Sequence, residues 1–433
     1  MNYLPNVLFA IVLIAGIGYF TLNVKKLIRN IKLGNDVDVS DNKSQRWKNM
    51  TMIALGQSKM VRRPVAGFLH IIVYVGFVII NIEVLEIIID GLLGTHRIFS
   101  SIGLLYGVLI GSFEILALLV FIAVIIFWIR RNIVKLNRFW KSEMTSWPKN
   151  DANYILYFEM VLMTLFLVMN ATDVHFQAMN SGNIISQFIA PLFSGFTETA
   201  LHTIERTAWW FHIIGILVFL NYLYFSKHLH ILLAFPNTFY ASLKPKGQFN
   251  NLEAVTKEVK MMMDPTIDPF AAPAEGTEMP AKFGASDVQD LNWVQLLNAY
   301  TCTECGRCTS ECPANLTGKK LSPRKIMMDT RDRLEEVGKN IDSNKGTFVD
   351  DGKQLLDNYI TREEIWACTS CNACVEACPV SINPLSIILD MRRFLVMEQS
   401  AAPVELNNMM TNIENNGAPW PYNQMDRLNW KNE

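Results

Sequence analysis

The sequence predicts an all-α membrane protein that carries a second, cysteine-rich helical domain. Half of the 433 residues are hydrophobic and the mean hydropathy is positive, which is typical of chains with membrane-spanning segments. Long apolar runs occupy the first half of the chain, and all eight cysteines fall between residues 302 and 378. The formal net charge of -1 gives no support to nucleic-acid binding.

Five apolar runs predict five transmembrane helices, because a helix rises about 1.5 Å per residue and most of the runs are long enough to cross a bilayer. They cover residues 4–24, 66–89, 102–129, 154–169 and 208–225. A sixth run, residues 184–196, is short and contains Pro191, so we expect an interfacial or buried loop. The first run has no basic residues before it and no clear cleavage site, so we expect a membrane anchor.

The distribution of Lys and Arg predicts the orientation. The segments after the first and third runs are rich in both, whereas those after the second and fourth contain only Arg97 and Arg206. Positive residues favour the cytoplasmic side. We therefore expect an inner-membrane, multi-pass protein with its N-terminus outside and every cysteine in the cytoplasm. Clustered cysteines in that reducing compartment favour metal sites over disulfides.

Histidines within the apolar runs predict a cofactor, because ionisable residues are costly in a bilayer. His70 lies near the cytoplasmic end of the second helix. The fifth helix is predicted to carry His212, His228 and His230, with His212 and His230 separated by five turns on one face about 27 Å apart and His228 on the opposite side. His70 and His230 would then lie at similar depth, as the axial ligands of a b-type haem do.

Basic residues near the same membrane face, Arg62, Arg63 and Lys227, are predicted to pair with haem propionates. The alternative is that His70 and His230 are amphipathic residues at the interface.

His212 raises the question of a second haem. The second helix has no histidine at the matching depth, and His175 and His202 on the outer loop are candidate ligands by depth alone. His212 as a quinone ligand or as a hydrogen-bonding residue is the alternative. The sequence leaves the number of haems open.

Three carboxylates, Glu83, Glu86 and Glu114, also lie inside apolar runs. Such groups can relay the protons of a quinol reaction. The alternative is a structural role in polar loops or at helix contacts, and for Glu86, near Asp90, this alternative is favoured.

A cysteine pattern that occurs twice is the strongest indication of a metal site in the sequence. The stretch "CTECGRCTSECPA" has the spacing C-x2-C-x2-C-x3-C-P, and "CTSCNACVEACPV" repeats it. This is the bacterial pattern for two [4Fe–4S] clusters, in which the fourth cysteine of each motif binds the other cluster. The predicted ligands are Cys302, Cys305, Cys308 and Cys378 for cluster one, and Cys368, Cys371, Cys374 and Cys312 for cluster two. Zinc is the alternative, but zinc sites usually use paired C-x2-C steps.

The polar segment between the two motifs predicts helices and not a compact ferredoxin of strands. Ser322 with Pro323 predicts one helix start, and Thr361 with Glu364 predicts a capping box. A further helix is expected after Pro379, in "NPLSIILDMRRFLV". We therefore predict an α-helical ferredoxin domain over residues 288–400, after a transmembrane domain over 1–235 and a Pro-, Gly- and Ala-rich linker or arm over 236–287.

These residues resemble known redox proteins. The five helices with their histidines resemble the haem b membrane subunit of respiratory nitrate reductase and the cytochrome subunit of membrane-bound heterodisulfide reductases. "WVQLLNAYTCTECGRCTSECPANLTGKKLSPRKI" and "EIWACTSCNACVEACPVSINPLSIILDMRR" resemble the iron–sulfur part of heterodisulfide-reductase-like oxidoreductases. The resemblance spans residues 1–400. It implies a five-helix transmembrane haem b bundle followed by a dicluster ferredoxin domain. It also implies that the protein exchanges electrons with menaquinone or another quinone.

The chain also departs from these relatives. It lacks their cysteine-rich CCG modules and any flavin or nicotinamide fingerprint, so we expect the substrate-converting site on a separate cytoplasmic CCG-type partner. The tail, residues 401–433, is predicted to dock that partner or simply to be an ordered tail. The predicted function is a membrane-anchored electron-transfer subunit. The rivals are a transporter with a redox-sensing domain and an anchor protein with structural clusters.

Overall fold

A computed structural model describes residues 3–245, 247–266 and 282–432 of the chain, and its regular elements are helices. The α-helices are α1 Leu4–Ile31, α2 Lys43–Met50, α3 Pro64–Leu93, α4 Leu104–Asn132, α5 Trp147–Thr172, α6 Val174–Ala178, α7 Ser186–Ile189, α8 Glu198–Tyr222, α9 His230–Phe239, α10 Glu253–Met263, α11 Trp293–Thr301, α12 Arg307–Ser310, α13 Pro313–Leu316, α14 Pro323–Ser343, α15 Leu355–Asn358, α16 Arg362–Trp366, α17 Ala373–Ala377, α18 Pro384–Met397 and α19 Val404–Asn416.

Short 3-10 or π turns link the α-helices. They are Thr51–Leu55, Met60–Arg62, Ile98–Ile102, Asn137–Phe139, Ser142–Met144, Ala190–Phe193, Leu223–Phe225, Lys227–Leu229, Val288–Asp290 and Gln424–Lys431.

Five of the helices, α1, α3, α4, α5 and α8, are long and apolar enough to cross a membrane, and they confirm the five predicted spans. Each helix is longer than the apolar run that predicted it, although α4 begins two residues inside its run and α8 ends three residues inside its run. Local start and stop signals set the helix ends. Pro64 begins α3 at a position where its missing N–H costs nothing, and Gly94 ends the helix with a φ of 74°. The Thr197 side chain accepts a hydrogen bond from the Ala200 N–H and starts α8 well before the apolar run.

The five helices form a closed bundle in which α1 packs on α3, α3 on α4, α4 on α5, α5 on α8 and α8 back on α1. We call this unit the membrane bundle. Its core contains large side chains with almost no exposed surface, among them Tyr106, Phe113 and Phe166.

The fifth helix is not continuous, so the prediction that placed His212, His228 and His230 on one helix is wrong. α8 ends at Tyr222, a 3-10 turn follows, and Ser226 is extended with φ -116° and ψ 148°. The Ser226 hydroxyl then accepts a hydrogen bond from the His228 N–H and starts a new helical segment.

Residues 288–400, which we call the cysteine-rich domain, pack against one end of the membrane bundle. α11 and α14 contact α1, and α11 also contacts α9. One hydrophobic core joins Leu27 and Leu223 of the bundle to Leu296 and Leu334 of the cysteine-rich domain. The predicted domain boundary at residue 235 falls inside α9, which runs from His230 to Phe239 and packs against α2 and α11.

The predicted helix starts are confirmed in the cysteine-rich domain. The Ser322 hydroxyl accepts from the Lys325 N–H at the start of α14, and Thr361 with Glu364 forms a complete capping box at α16. Of the predicted linker, α10 is helical, while residues 267–281 lie outside the described residues. In the tail, α19 has no buried residue.

Candidate metal centres

The two cysteine motifs meet and line two pockets. Each pocket gathers three cysteines of one motif and the fourth cysteine of the other, as the spacing predicts. One pocket contains Cys302, Cys305, Cys308 and Cys378, and the other contains Cys312, Cys368, Cys371 and Cys374, with Cys374 bordering both. Each of these residues is a free thiol.

The backbone follows the same path in both motifs. Residues two and four positions after the first cysteine have positive φ, namely Glu304 and Gly306 in one motif and Ser370 and Asn372 in the other. These left-handed residues turn the loop around each pocket and start the short helices α12 and α17.

The last cysteine of each motif leaves its short helix in an extended conformation. Cys312 has a ψ of 115° and Cys378 has a ψ of 124°, and a proline follows each of them. The extended backbone carries each thiol toward the other motif. This geometry explains in physical terms why the fourth cysteine reaches the pocket of the other motif.

The thiols lie in surroundings that suit metal binding better than free ionisation. Burial raises the pKa of Cys302 to about 12 and that of Cys378 to about 11. Backbone N–H groups nevertheless point at two sulfurs, from Ser370 to Cys368 Sγ at 3.4 Å and from Ile382 to Cys378 Sγ at 3.3 Å. A bound metal deprotonates its thiol ligands, and such N–H donors stabilise the resulting thiolates.

His70 and His230 lie close together although they come from different helices. Their ring centres are 6.4 Å apart and the ring planes are tilted by 42°. His230 Nδ1 lies 3.2 Å from the Lys227 carbonyl, which favours the tautomer with the proton on Nδ1 and leaves Nε2 as a free ligand atom. Burial lowers the pKa of His230, and the neutral form that binds metal is therefore favoured.

Of the other histidines, His228 is placed differently from the prediction, which put it on the side of the fifth helix opposite to His230. The His228 ring lies only 5.4 Å from the His230 ring, because the break at Ser226 brings both to one side. His212 is 1% exposed, and neither ring nitrogen makes a hydrogen bond within the described residues, although the Leu162 backbone is near. His175 and His202 are exposed at the far end of the bundle.

The predicted propionate partners contact the cysteine-rich domain. Arg62 pairs with Glu376 at 2.5 Å, and Arg63 donates to Ser310 at 2.6 Å. Lys227 pairs with Glu304, which lies between the first two cysteines of its motif. These three cations therefore form hydrogen bonds or ion pairs between the membrane bundle and the cysteine-rich domain. Their pairing with haem propionates stays a prediction.

The buried carboxylates of the bundle fall into two groups. Glu114 accepts from the backbone N–H groups of Ile185 and Ser186, and Glu86 accepts from the Phe99 N–H and the Tyr106 hydroxyl. Both therefore fix loops to helices, as the structural alternative predicted. Glu83 differs from them, because its Oε2 is buried without a hydrogen-bond partner in the described structure.

Two polar residues near the first pocket were missed by the sequence analysis. Glu304 is 3% exposed and lies between Lys227 and Arg331, and these cations hold its pKa below the usual range although burial alone would raise it. Arg307 donates to the Lys59 carbonyl at 3.2 Å and to the Met60 carbonyl at 3.3 Å. Their position inside the first cysteine motif was the sequence feature that could have marked Glu304 and Arg307 as site residues. One sequence alone does not reveal which distant residues they contact.

Comparison with protein families identifies the cysteine-rich region. The model of the 4Fe-4S dicluster domain matches residues 301–382. The chain therefore carries an iron–sulfur dicluster domain.

Curated relatives extend the comparison to the membrane bundle. The chain is 29% identical to the probable iron-sulfur-binding oxidoreductase FadF of Bacillus subtilis, over 98% of this chain and 60% of the relative. It is 25% identical to the EtfAB:quinone oxidoreductase of Syntrophomonas wolfei, over 94% of this chain and 57% of the relative. Over 35% of this chain and 37% of the relative, it is 28% identical to one component of the dihydromethanophenazine:CoB–CoM heterodisulfide reductase of Methanosarcina mazei.

The chain thus spans about three fifths of the two relatives that it matches over nearly its whole length. No solved structure matches it. Its relatives are iron–sulfur oxidoreductases, and the described part of this chain joins a 4Fe-4S dicluster domain to five helices that are long and apolar enough to cross a membrane.

Proposed function

We propose that this chain transfers electrons between a membrane quinone and a cytoplasmic partner, through a b-type haem and two [4Fe–4S] clusters. The observation that carries the proposal is the close pair of His70 and His230. A metal–imidazole bond is about 2 Å long, so two imidazoles that share one iron have ring centres about 6 Å apart. The separation of 6.4 Å supports such a pair.

The residues around the pair suit a haem. The Lys227 carbonyl holds the His230 ring through Nδ1, which is the usual arrangement for a histidine that binds metal through Nε2. His70 has a buried Nδ1 without a partner in the described structure, so hydrogen bonds do not already fix its ring for another purpose. When bound, the haem and the clusters supply the one-electron steps, and the chain supplies ligands, spacing and exclusion of water.

The contacts also suggest an order for the centres. Arg307, between two ligands of cluster one, donates to Lys59 and Met60, which lie just before the helix that carries His70. Cluster one is therefore the neighbour of the haem. Cys371 is the exposed cysteine, so cluster two lies at the surface where a partner can approach.

The comparisons with known proteins are the reason for proposing a quinone and a separate protein partner. One relative is named an EtfAB:quinone oxidoreductase and others are named heterodisulfide reductase subunits, which supports a quinone and a heterodisulfide-reductase-like, CCG-type partner for this chain. The positive-inside pattern supports a cytoplasmic position of the clusters. Electrons enter or leave at the surface of cluster two and pass by cluster one and the haem to or from the quinone.

The test is a spectrum of the purified full chain with matched histidine variants. We expect a b-type haem band in the reduced-minus-oxidised spectrum, its loss in His70→Ala and His230→Ala, and its retention in His228→Ala, the neighbour that is not a ligand. Iron analysis and electron paramagnetic resonance should detect two clusters in all of these proteins. Wild-type protein that contains iron but no haem would contradict the haem assignment, and protein without iron would contradict the whole proposal.

A further inference from the structure

A polar pocket lies at the end of the membrane bundle away from the cysteine-rich domain. His96 from the α3–α4 loop, Asp173 after α5 and Glu205 on α8 meet there. One ligand atom from each residue lies within 4.8 Å of the other two. The side chain of His96 is 42% exposed, while those of Asp173 and Glu205 are 3% and 4% exposed. The pocket is therefore open to solvent at the histidine and closed beneath it.

The pocket contains more carboxylates than nearby cations. Glu83, Glu86 and Asp90 also line it, whereas its arginines are Arg97 and Arg206. Glu86 and Asp90 are occupied by hydrogen bonds from the neighbouring loop, Glu86 from the Phe99 N–H and Asp90 from the Arg97 N–H.

Glu83 is the independent sign of a missing ligand. It is 2% exposed, and its Oε2 has no hydrogen-bond partner in the part of the chain that the structure describes. An unpaired carboxylate is costly within a membrane helix unless a proton or a metal ion compensates it.

The two arginines hold the candidate ligands in position. Arg97 Nε donates to Asp173 Oδ2 at 2.8 Å, and Arg206 pairs with the adjacent Glu205. A carboxylate offers about four lone-pair positions, so it can bind a metal ion and still accept from an arginine. Carboxylates that bind metal are commonly held by such outer hydrogen bonds.

We propose that this pocket binds one divalent transition-metal ion through His96 Nε2, Asp173 and Glu205, with Glu83 as a third carboxylate in the pocket lining. One imidazole with carboxylate oxygens favours zinc, manganese or ferrous iron over calcium or magnesium. Bonds of about 2 Å from a central ion require ligand atoms within about 4 Å of one another, so the pocket closes slightly on the ion. This site is separate from the cysteine and His70–His230 centres and does not depend on the proposed function.

Zinc is the probe for the test. Full-length protein in detergent is treated with a mild chelator and titrated with Zn2+ by calorimetry, while bound zinc and iron are counted by mass spectrometry. We expect one zinc per chain at this site. His96→Ala, which changes an exposed side chain and spares the fold, should weaken zinc binding at least tenfold, and Glu83→Gln should weaken it less.

His175→Ala is the matched control, because the His175 ring lies 6.2 Å from the His96 ring on the same surface but is outside the ligand set. Its zinc affinity should equal that of the wild type. Zinc X-ray absorption should show nitrogen and oxygen neighbours, whereas sulfur neighbours would mean that zinc had entered the cysteine pockets. Equal zinc affinity in wild type and His96→Ala, or sulfur-only coordination, would overturn the proposal.

Discussion

Arg333 is a fully buried cation that joins three segments of the cysteine-rich domain. Its guanidinium donates to Asp287 at 2.8 Å, to Asp351 at 2.5 Å and to the Lys353 carbonyl at 2.7 Å. Arg333→Met leaves two carboxylates without their cation, a change that costs about 3–5 kcal/mol in a buried network. We expect this variant to have a lower Tm and to lose iron more readily, with Arg333→Lys between it and the wild type.

The control and the pH dependence distinguish this effect from a general loss of charge. Arg362→Met removes an exposed pair with Asp357 and should change stability by less than about 1 kcal/mol.

Hydrogen bonds from Arg333 hold the pKa of Asp351 below its usual range. That stability is present above about pH 4, the unfolded value, and is lost as the pH falls through the folded value. A gap between wild type and Arg333→Met in denaturant unfolding that did not shrink at low pH would contradict this account.

Local spacing predicted single residues well when the partner was near in sequence. The caps at Ser322 and Thr361 depend on neighbours within a few residues, and the structure confirms both. The cysteines of the two motifs line two pockets, and their assignment as cluster ligands stays a prediction. Arg62 and Arg63 were expected to meet a haem, yet their contacts lie more than 200 positions along the chain, in the second and first cysteine motifs. No periodicity or spacing in one sequence carries that information.

At the scale of elements, α9 connects the histidine pair to the cysteine-rich domain. Asn237 on α9 is fully buried, donates to the Val380 carbonyl at 2.7 Å and accepts from Asn298 at 3.1 Å. Asn237→Ala removes both hydrogen bonds and leaves the buried Val380 carbonyl without this donor, while Asn298 still donates to the Val294 carbonyl. The loss of a buried hydrogen-bond partner costs about 1–3 kcal/mol. Because α9 begins at His230 and Val380 follows Cys378, we expect a lower Tm and a broader cluster signal in electron paramagnetic resonance.

The matched control is Asn415→Ala, since Asn415 lies on the exposed helix α19 and, among the described residues, its side chain donates to the Thr411 carbonyl of its own helix. Its Tm should equal that of the wild type. An Asn237→Ala protein as stable as the Asn415→Ala protein would show that α9 is held by hydrophobic packing alone.

The fifth helix shows where element prediction failed. Similar depth near the cytoplasmic end led to the prediction that His70 and His230 lie close together, and their ring centres are 6.4 Å apart. The assumption of one continuous fifth helix was wrong, because the chain breaks at Ser226 and α9 starts anew. The signal for the break was a serine before a polar segment, which is a helix-start pattern. It was overlooked because a long apolar run makes a continuous helix the simplest interpretation.

At the scale of the whole molecule, the proposed electron transfer requires a fixed spacing between the membrane bundle and the cysteine-rich domain. Glu143, in the loop between α4 and α5, accepts from Arg324 at 2.6 Å and from Ser322 at 2.8 Å. Arg324 is fully buried and also donates to the Arg138 carbonyl at 2.5 Å. This contact ties the loop between α4 and α5 to the start of α14 in the cysteine-rich domain.

Glu143→Ala should therefore loosen the contact between the two units without removing any ligand. Leaving Arg324 buried without its anion costs about 3–5 kcal/mol. Haem and iron contents should stay near those of the wild type, while stopped-flow measurement should find slower reoxidation of the haem through the clusters. Asp342→Ala is the matched control, because Asp342 also joins the two units, through Lys26 and Arg29, but in an exposed pair that contributes at most about 1 kcal/mol. Equal haem reoxidation rates in the two variants and the wild type would mean that the continuous hydrophobic core alone sets the spacing.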